Sequence, residues 1–134
     1  MKYLLLLVLI TTPLFAQLTS DVVSEDSVTK IAFGSCNNPR KKDQPIYQAI
    51  LDQKPDLFLF LGDNIYGDTT DMKVFKGKYQ ALADAEGYQK LQAQTKVLAT
   101  WDDHDFGVND GGKSYPKRAE SQELLLDFFN EPKD

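Results

Sequence analysis

The chain has 134 residues, 42% of them hydrophobic, and a formal net charge of -5. That is enough apolar surface for one small packed domain and no more, which excludes a wholly disordered chain. The acidic balance also excludes a nucleic-acid partner gripped by its phosphates, which needs clustered Lys and Arg, and is compatible with holding a cation.

Met1 to Ala16 reads as a secretory signal, with Lys2 as its positive start, Leu4 to Ile10 as its apolar core and Ala16 as the small residue before the cut. A membrane anchor needs about 20 apolar residues, and Thr11, Thr12 and Pro13 interrupt this run. The protein is therefore expected to be exported, periplasmic or extracellular, with no membrane span once the signal is removed. Residues 17–27 are polar and unpatterned, a flexible leader, and residues 28–134 form the domain.

Val28 to Phe33 predicts the first strand, followed by an Asn37 to Lys42 loop whose Arg40, Lys41 and Lys42 read as solvated. Cys36 is the only cysteine, so no internal disulfide can form. A lone thiol is usually a small buried hydrophobe; its place after an apolar run and Gly34 also suits a metal ligand. Asp43 or Gln44 caps a helix with Pro45 in its first turn and Ile46, Tyr47, Ile50 and Leu51 on one face. Pro55 stops it. Leu57 to Leu61 is an unbroken apolar run closed by Gly62, the pattern of a strand buried on both faces. Strand, helix and strand in this order predict a parallel, right-handed βαβ unit.

Asp71 caps the next helix, with Val74, Phe75, Tyr79 and Leu82 on a common face, and a shorter helix broken by Gly87 carries Tyr88 and Leu91. Val97 to Trp101 predicts a third strand, Phe106 to Lys113 a loop, and Pro116 opens a last helix with Leu124, Leu125, Phe128 and Phe129 as its apolar side. The fold class is α/β, parallel strands with flanking helices. Three strands make half an architecture, so the chain is expected to be a fragment of a longer protein.

Each apolar run ends in groups able to hold a metal: Gly-Ser-Cys at Cys36, Gly-Asp-Asn-Ile-Tyr from Gly62 to Tyr66, and Trp-Asp-Asp-His-Asp from Trp101 to Asp105. Open α/β sheets bind ligands beyond the carboxyl ends of their strands, so one shared site is expected. Taken singly, Asp63 could be a helix cap, Tyr66 a core residue and His104 a solvated loop residue. Asp102 and Asp105 read as loop or capping residues, and Asn64, Asp68, Asn109 and Asp110 carry no assigned role.

In combination and order, the three motifs resemble the alkaline phosphatase D branch of the calcineurin-like metallophosphatases, over about Thr29 to Phe129. The resemblance implies the N-terminal half of an αββα sandwich. It implies two metal ions, Fe3+ plus a divalent cation such as Ca2+, with Asp63 bridging both, Tyr66 and Cys36 on the iron and Asp103 on the second ion. His104 would contact the substrate phosphate or protonate the leaving oxygen. The implied reaction is hydrolysis of phosphate mono- or diesters by a hydroxide shared between the metals. The family completes its centre with His and Asp ligands from the second half of the fold, and no histidine follows His104. Weak metal affinity and little turnover are therefore expected of this chain alone. The alternative is a non-catalytic exported metal-binding or interaction module that keeps the fold.

Overall fold

Leu57–Leu61 is the middle strand of a three-stranded parallel sheet in the computed structural model, which describes residues 27–41 and 44–133. The signal, nearly all of the leader, Lys42 and the cap expected at Asp43 lie outside the described residues. Chain order runs β1 (Ile31–Gly34), α1 (Ile46–Asp52), β2 (Leu57–Leu61), α2 (Met72–Ala83), α3 (Glu86–Gln94), β3 (Lys96–Thr100), α4 (Asp103–Phe106) and α5 (Arg118–Phe129). β1 is an offset version of the expected strand, which starts at Ile31 rather than Val28, and α5 begins two residues after Pro116.

The sheet order is β1-β2-β3, with Ile31 opposite Leu57 and Leu57 opposite Lys96. Both crossovers step in the same direction, and right-handed connections that do so lay their helices on one face. That face carries Ala32, Phe58, Phe60, Val97 and Ala99, packed against Tyr47, Phe75, Tyr79, Leu82, Tyr88, Leu91 and Leu125. Each fully buried aromatic or Leu side chain there contributes roughly 1.5–3 kcal/mol. The other face presents the alternate side chains, and Phe33 is 69% and Leu61 46% exposed. The expectation that β2 is buried on both faces is therefore overturned: Phe58 and Phe60 are buried, Leu57 and Leu59 are half-buried. A continuous apolar run was a correct sign of a strand but not of two covering layers.

The helices depart from their sequence patterns where an apolar side chain lies off the seam. Ile46 and Val74, expected on buried faces, are 59% and 48% exposed. Asp71 caps α2 as expected, accepting from the backbone N–H groups of Lys73 and Val74 at 2.8 and 3.3 Å. Gly87 does not break α3; it sits in its first turn, where a Cβ would lie 2.6 Å from the Tyr47 ring. The glycine is there so that α1 and α3 can touch. Among the described residues no helix is long and apolar enough to cross a membrane.

Candidate metal centre

The parallel register brings the carboxyl ends of all three strands to one edge. Pairing continues past β1, with Cys36 N–H donating to Gly62 O at 3.2 Å and Asn37 N–H to Asp63 O at 2.8 Å. At Gly62, φ is 105° and a Cβ would fall 2.5 Å from Asp102 Cβ, so only glycine lets the ends of β2 and β3 meet. Beyond it the backbone is strained: φ is 58° at Cys36, 52° at Asp63, 53° at Tyr66 and 48° at Asp68. Each such residue costs on the order of 1 kcal/mol or more and persists only where its surroundings over-determine it.

Six hydrogen bonds from four groups do so here. Asp105, fully buried, accepts from the N–H groups of Asn64 at 2.7 Å and Ile65 at 2.9 Å. Asn64, also fully buried, donates through its side-chain amide to Thr100 O at 2.9 Å. Lys78 Nζ donates to the carbonyls of Tyr66 and Gly67 at 2.7 and 2.6 Å. Gly67 N–H donates to His104 O at 2.8 Å. Burial pushes the Asp105 carboxyl up from its ordinary value, and the two amides it accepts from pull the other way. Asp102 is a cap, accepting from Asp103 N–H, as its sequence position suggested; Asp105 is instead the clamp of the Gly62 to Tyr66 loop.

The five residues singled out from sequence converge. Cys36 Sγ lies 3.5 Å from Asp63 Oδ2. Cys36 beside it, desolvation and the Asp63 carboxylate all push the Tyr66 phenol well above its ordinary value. Ligand-capable atoms of Asp63, Asp103 and His104 all lie within 4.8 Å of one another, and the Tyr66 and His104 ring centroids are 4.7 Å apart. Asp63 thus lies close to Cys36 and to the Asp103–His104 pair. Its Oδ1 is buried and has no hydrogen-bond partner, although buried carboxylate oxygens are nearly always paired. An unpartnered carboxylate oxygen on a side chain this close to a thiol, a phenol, a second carboxylate and an imidazole fits a metal ion. Asp103 is already well ordered: its Oδ2 accepts from Asp110 N–H and its Oδ1 from His104 N–H, and the Asp110 bond, opposed by desolvation, holds its carboxyl below the usual range.

Asp68 is the residue that sequence reasoning left without a role. Its Oδ1 lies 2.6 Å from His104 Nδ1 and also accepts from Asn109 N–H at 3.1 Å. Its position in the turn after Tyr66 was the only available signal, and that signal does not specify a partner 36 residues away. Desolvation would lower the His104 pKa, but the Asp68 hydrogen bond and the charges of Asp68, Asp63 and Asp103 outweigh it, and the net shift is upward. A raised folded pKa means that the ion pair's stabilisation is complete below the unfolded value of about 6.5 and is lost as pH rises through the folded value. Asp68→Asn is therefore expected to lower the His104 pKa in chelator-treated protein. Imidazole NMR reads this directly, because His104 is the only histidine; an unchanged titration curve would show that the contact carries no charge coupling.

The profile of the PhoD-like phosphatase family matches residues 31–123, from the first residue of β1 into α5. Comparison with curated proteins and with solved structures returned no match. The matched span covers every member of the cluster, and the strand-end placement of those members is the arrangement that the motifs implied. On that match, the chain belongs to the PhoD-like phosphatase family.

Proposed function

We propose that Cys36, Asp63, Tyr66 and Asp103 hold two metal ions that serve phosphate-ester hydrolysis, with Asp63 shared and His104 acting on the substrate. Membership of the family implies phosphoester hydrolysis as its general chemistry. The observation that carries the finer reading is Asp63, whose Oδ1 is buried and unpartnered and whose side chain lies close to Cys36, Asp103 and His104. A thiolate with a phenolate favours iron, and carboxylates favour a hard divalent ion such as Ca2+. Bound there, the pair would supply positive charge that makes water a usable nucleophile near neutral pH and offsets charge on the phosphate. The chain's own contribution is placement. Asp68 engages Nδ1 of His104, which leaves Nε2 to hydrogen-bond a phosphate oxygen or to give a proton to the leaving oxygen.

Iron loading tests the reading. Tyr66 resists ionisation in this setting, so binding through its oxygen must expel a proton, and uptake of Fe3+ should weaken as pH falls. The loaded protein is expected to show a broad visible charge-transfer band that weakens and shifts in Tyr66→Phe, with the Cys36 thiolate contribution remaining. A band unchanged in that variant removes Tyr66 from the centre. A band with no metal-dependent hydrolysis of a chromogenic phosphate ester, in the chain or a longer form of it, favours the non-catalytic metal-binding module.

A further inference from the structure

A cavity of about 500 Å3 lies beside β1 and the start of α1, with Ser35 and Cys36 among its lining residues. Its walls are mainly apolar: Ile46 and Ile50 from α1, and Phe58 and Phe60 from the buried face of β2. Phe58 and Phe60 stand edge to face, with ring centroids 4.9 Å apart. Gly34 adds no side chain of its own, and a Cβ there would meet nothing closer than Phe58 Cζ at 3.7 Å.

Polar residues interrupt this apolar lining, Gln44 and Tyr47 among them. The side-chain amide of Gln44 donates to Asn37 Oδ1 at 3.1 Å and Asn38 O at 2.6 Å, which fixes its orientation. Its Oε1 and the Tyr47 hydroxyl are both buried and without a hydrogen-bond partner. Leaving such atoms unmatched costs free energy that a ligand with a suitable donor recovers. The volume falls within the range of small-molecule sites, and apolar walls with a few fixed polar atoms are the usual chemistry of such sites.

We propose that this cavity seats the alcohol portion of the phosphate ester, an aromatic ring carrying an O–H or N–H donor for Gln44 Oε1. The proposal rests on the hydrolase reading above, and the link is Cys36, which belongs both to the metal cluster and to the cavity lining. A phosphate held at the cluster then has its ester oxygen directed toward the cavity. Lys41, also on the lining, adds a positive charge for the anionic ester.

The test uses the full chain with 15N-labelled backbone and 13C-labelled Ile methyl groups, loaded with Ca2+ and with Ga3+ as the diamagnetic stand-in for Fe3+, and three probes: methylphosphonate, phenylphosphonate and 4-hydroxyphenylphosphonate. The hydroxylated ring is expected to bind roughly tenfold tighter than methylphosphonate, the low end of what one buried apolar group contributes, and to move the Ile46 and Ile50 methyl signals. Gly34→Val, which fills the cavity, should abolish that advantage and leave methylphosphonate binding as it was. If that variant fails to fold, Gln44→Met should erase the preference for the hydroxylated over the plain ring. Hydroquinone alone should move the same two methyl signals in chelator-treated protein. Aromatic probes that leave Ile46 and Ile50 unmoved overturn the proposal, even if methylphosphonate perturbs Asp63 and Asp103. Hydroquinone moving those methyl signals while no phosphonate perturbs Asp63 or Asp103 instead overturns the hydrolase reading, and the substrate assignment falls with it.

Discussion

Asp105→Ala is expected to lower the midpoint of thermal unfolding by roughly 15 °C, corresponding to about 3 kcal/mol in a domain of this size. The reason is local. Asp105 has no exposed surface, and its two oxygens accept from consecutive backbone N–H groups of Asn64 and Ile65. Truncation leaves both donors buried and unpaired, at a cost of about 1–3 kcal/mol each, partly offset by relaxation of the loop. The same change frees the strained backbone at Asp63 and Tyr66, so metal uptake should fall with stability. Asp105→Asn keeps the shape and one acceptor, and is expected to cost about half as much. Differential scanning calorimetry of the two variants separates the outcomes. A loss under 1 kcal/mol in Asp105→Ala would mean that Lys78 and Asn64 hold the loop without help from this carboxylate.

The second large effect has opposite signs in two measurements. Asp63→Asn should reduce metal affinity by at least about 100-fold, more than is usual for loss of a residue that only supports a ligand. In chelator-treated protein it should stabilise the fold by about 1 kcal/mol. Asp63 lies beside the Asp103 carboxylate, with ligand-capable atoms within 4.8 Å, and two like charges about 4 Å apart repel by about that much even in water. Asn also tolerates the positive φ of 52° at this position at least as well as Asp. Metal titration followed by calorimetry reads the first arm, and urea unfolding in chelator reads the second. A variant that binds metal like the parent removes Asp63 from its central place; one that is destabilised without metal would mean that this carboxylate belongs to the scaffold. Function purchased with stability is the usual arrangement at such sites.

Strand identity was legible because it depends on short-range chemistry. The run Leu57 to Leu61 and the punctuation by Gly62 and Pro55 placed β2 without reference to anything distant. The cap at Asp71 was legible for the same reason: its partners are two and three residues away. Faces were less so. Ile46 and Val74 satisfy helical spacing and remain exposed, because periodicity says which side chains align and not where a neighbour stops covering them. The roles of Asp68 and Asp105 were not legible, since each acts on residues about 40 positions away in sequence. Nothing local distinguishes a clamping carboxylate from a solvated one.

By itself the sequence determined the three strands, their parallel connection and the metal-capable groups at their ends, because an apolar run, a glycine and a reactive side chain sit within a few residues of each other. Only the tertiary structure decided that these ends meet at the Asp63 side chain, that Asp105 and Asp68 hold the loop and the imidazole in place, and that the described helices cover a single face of the sheet. Those outcomes depend on register and on the direction of the crossovers, which are properties of contacts between segments and are not written in any one segment.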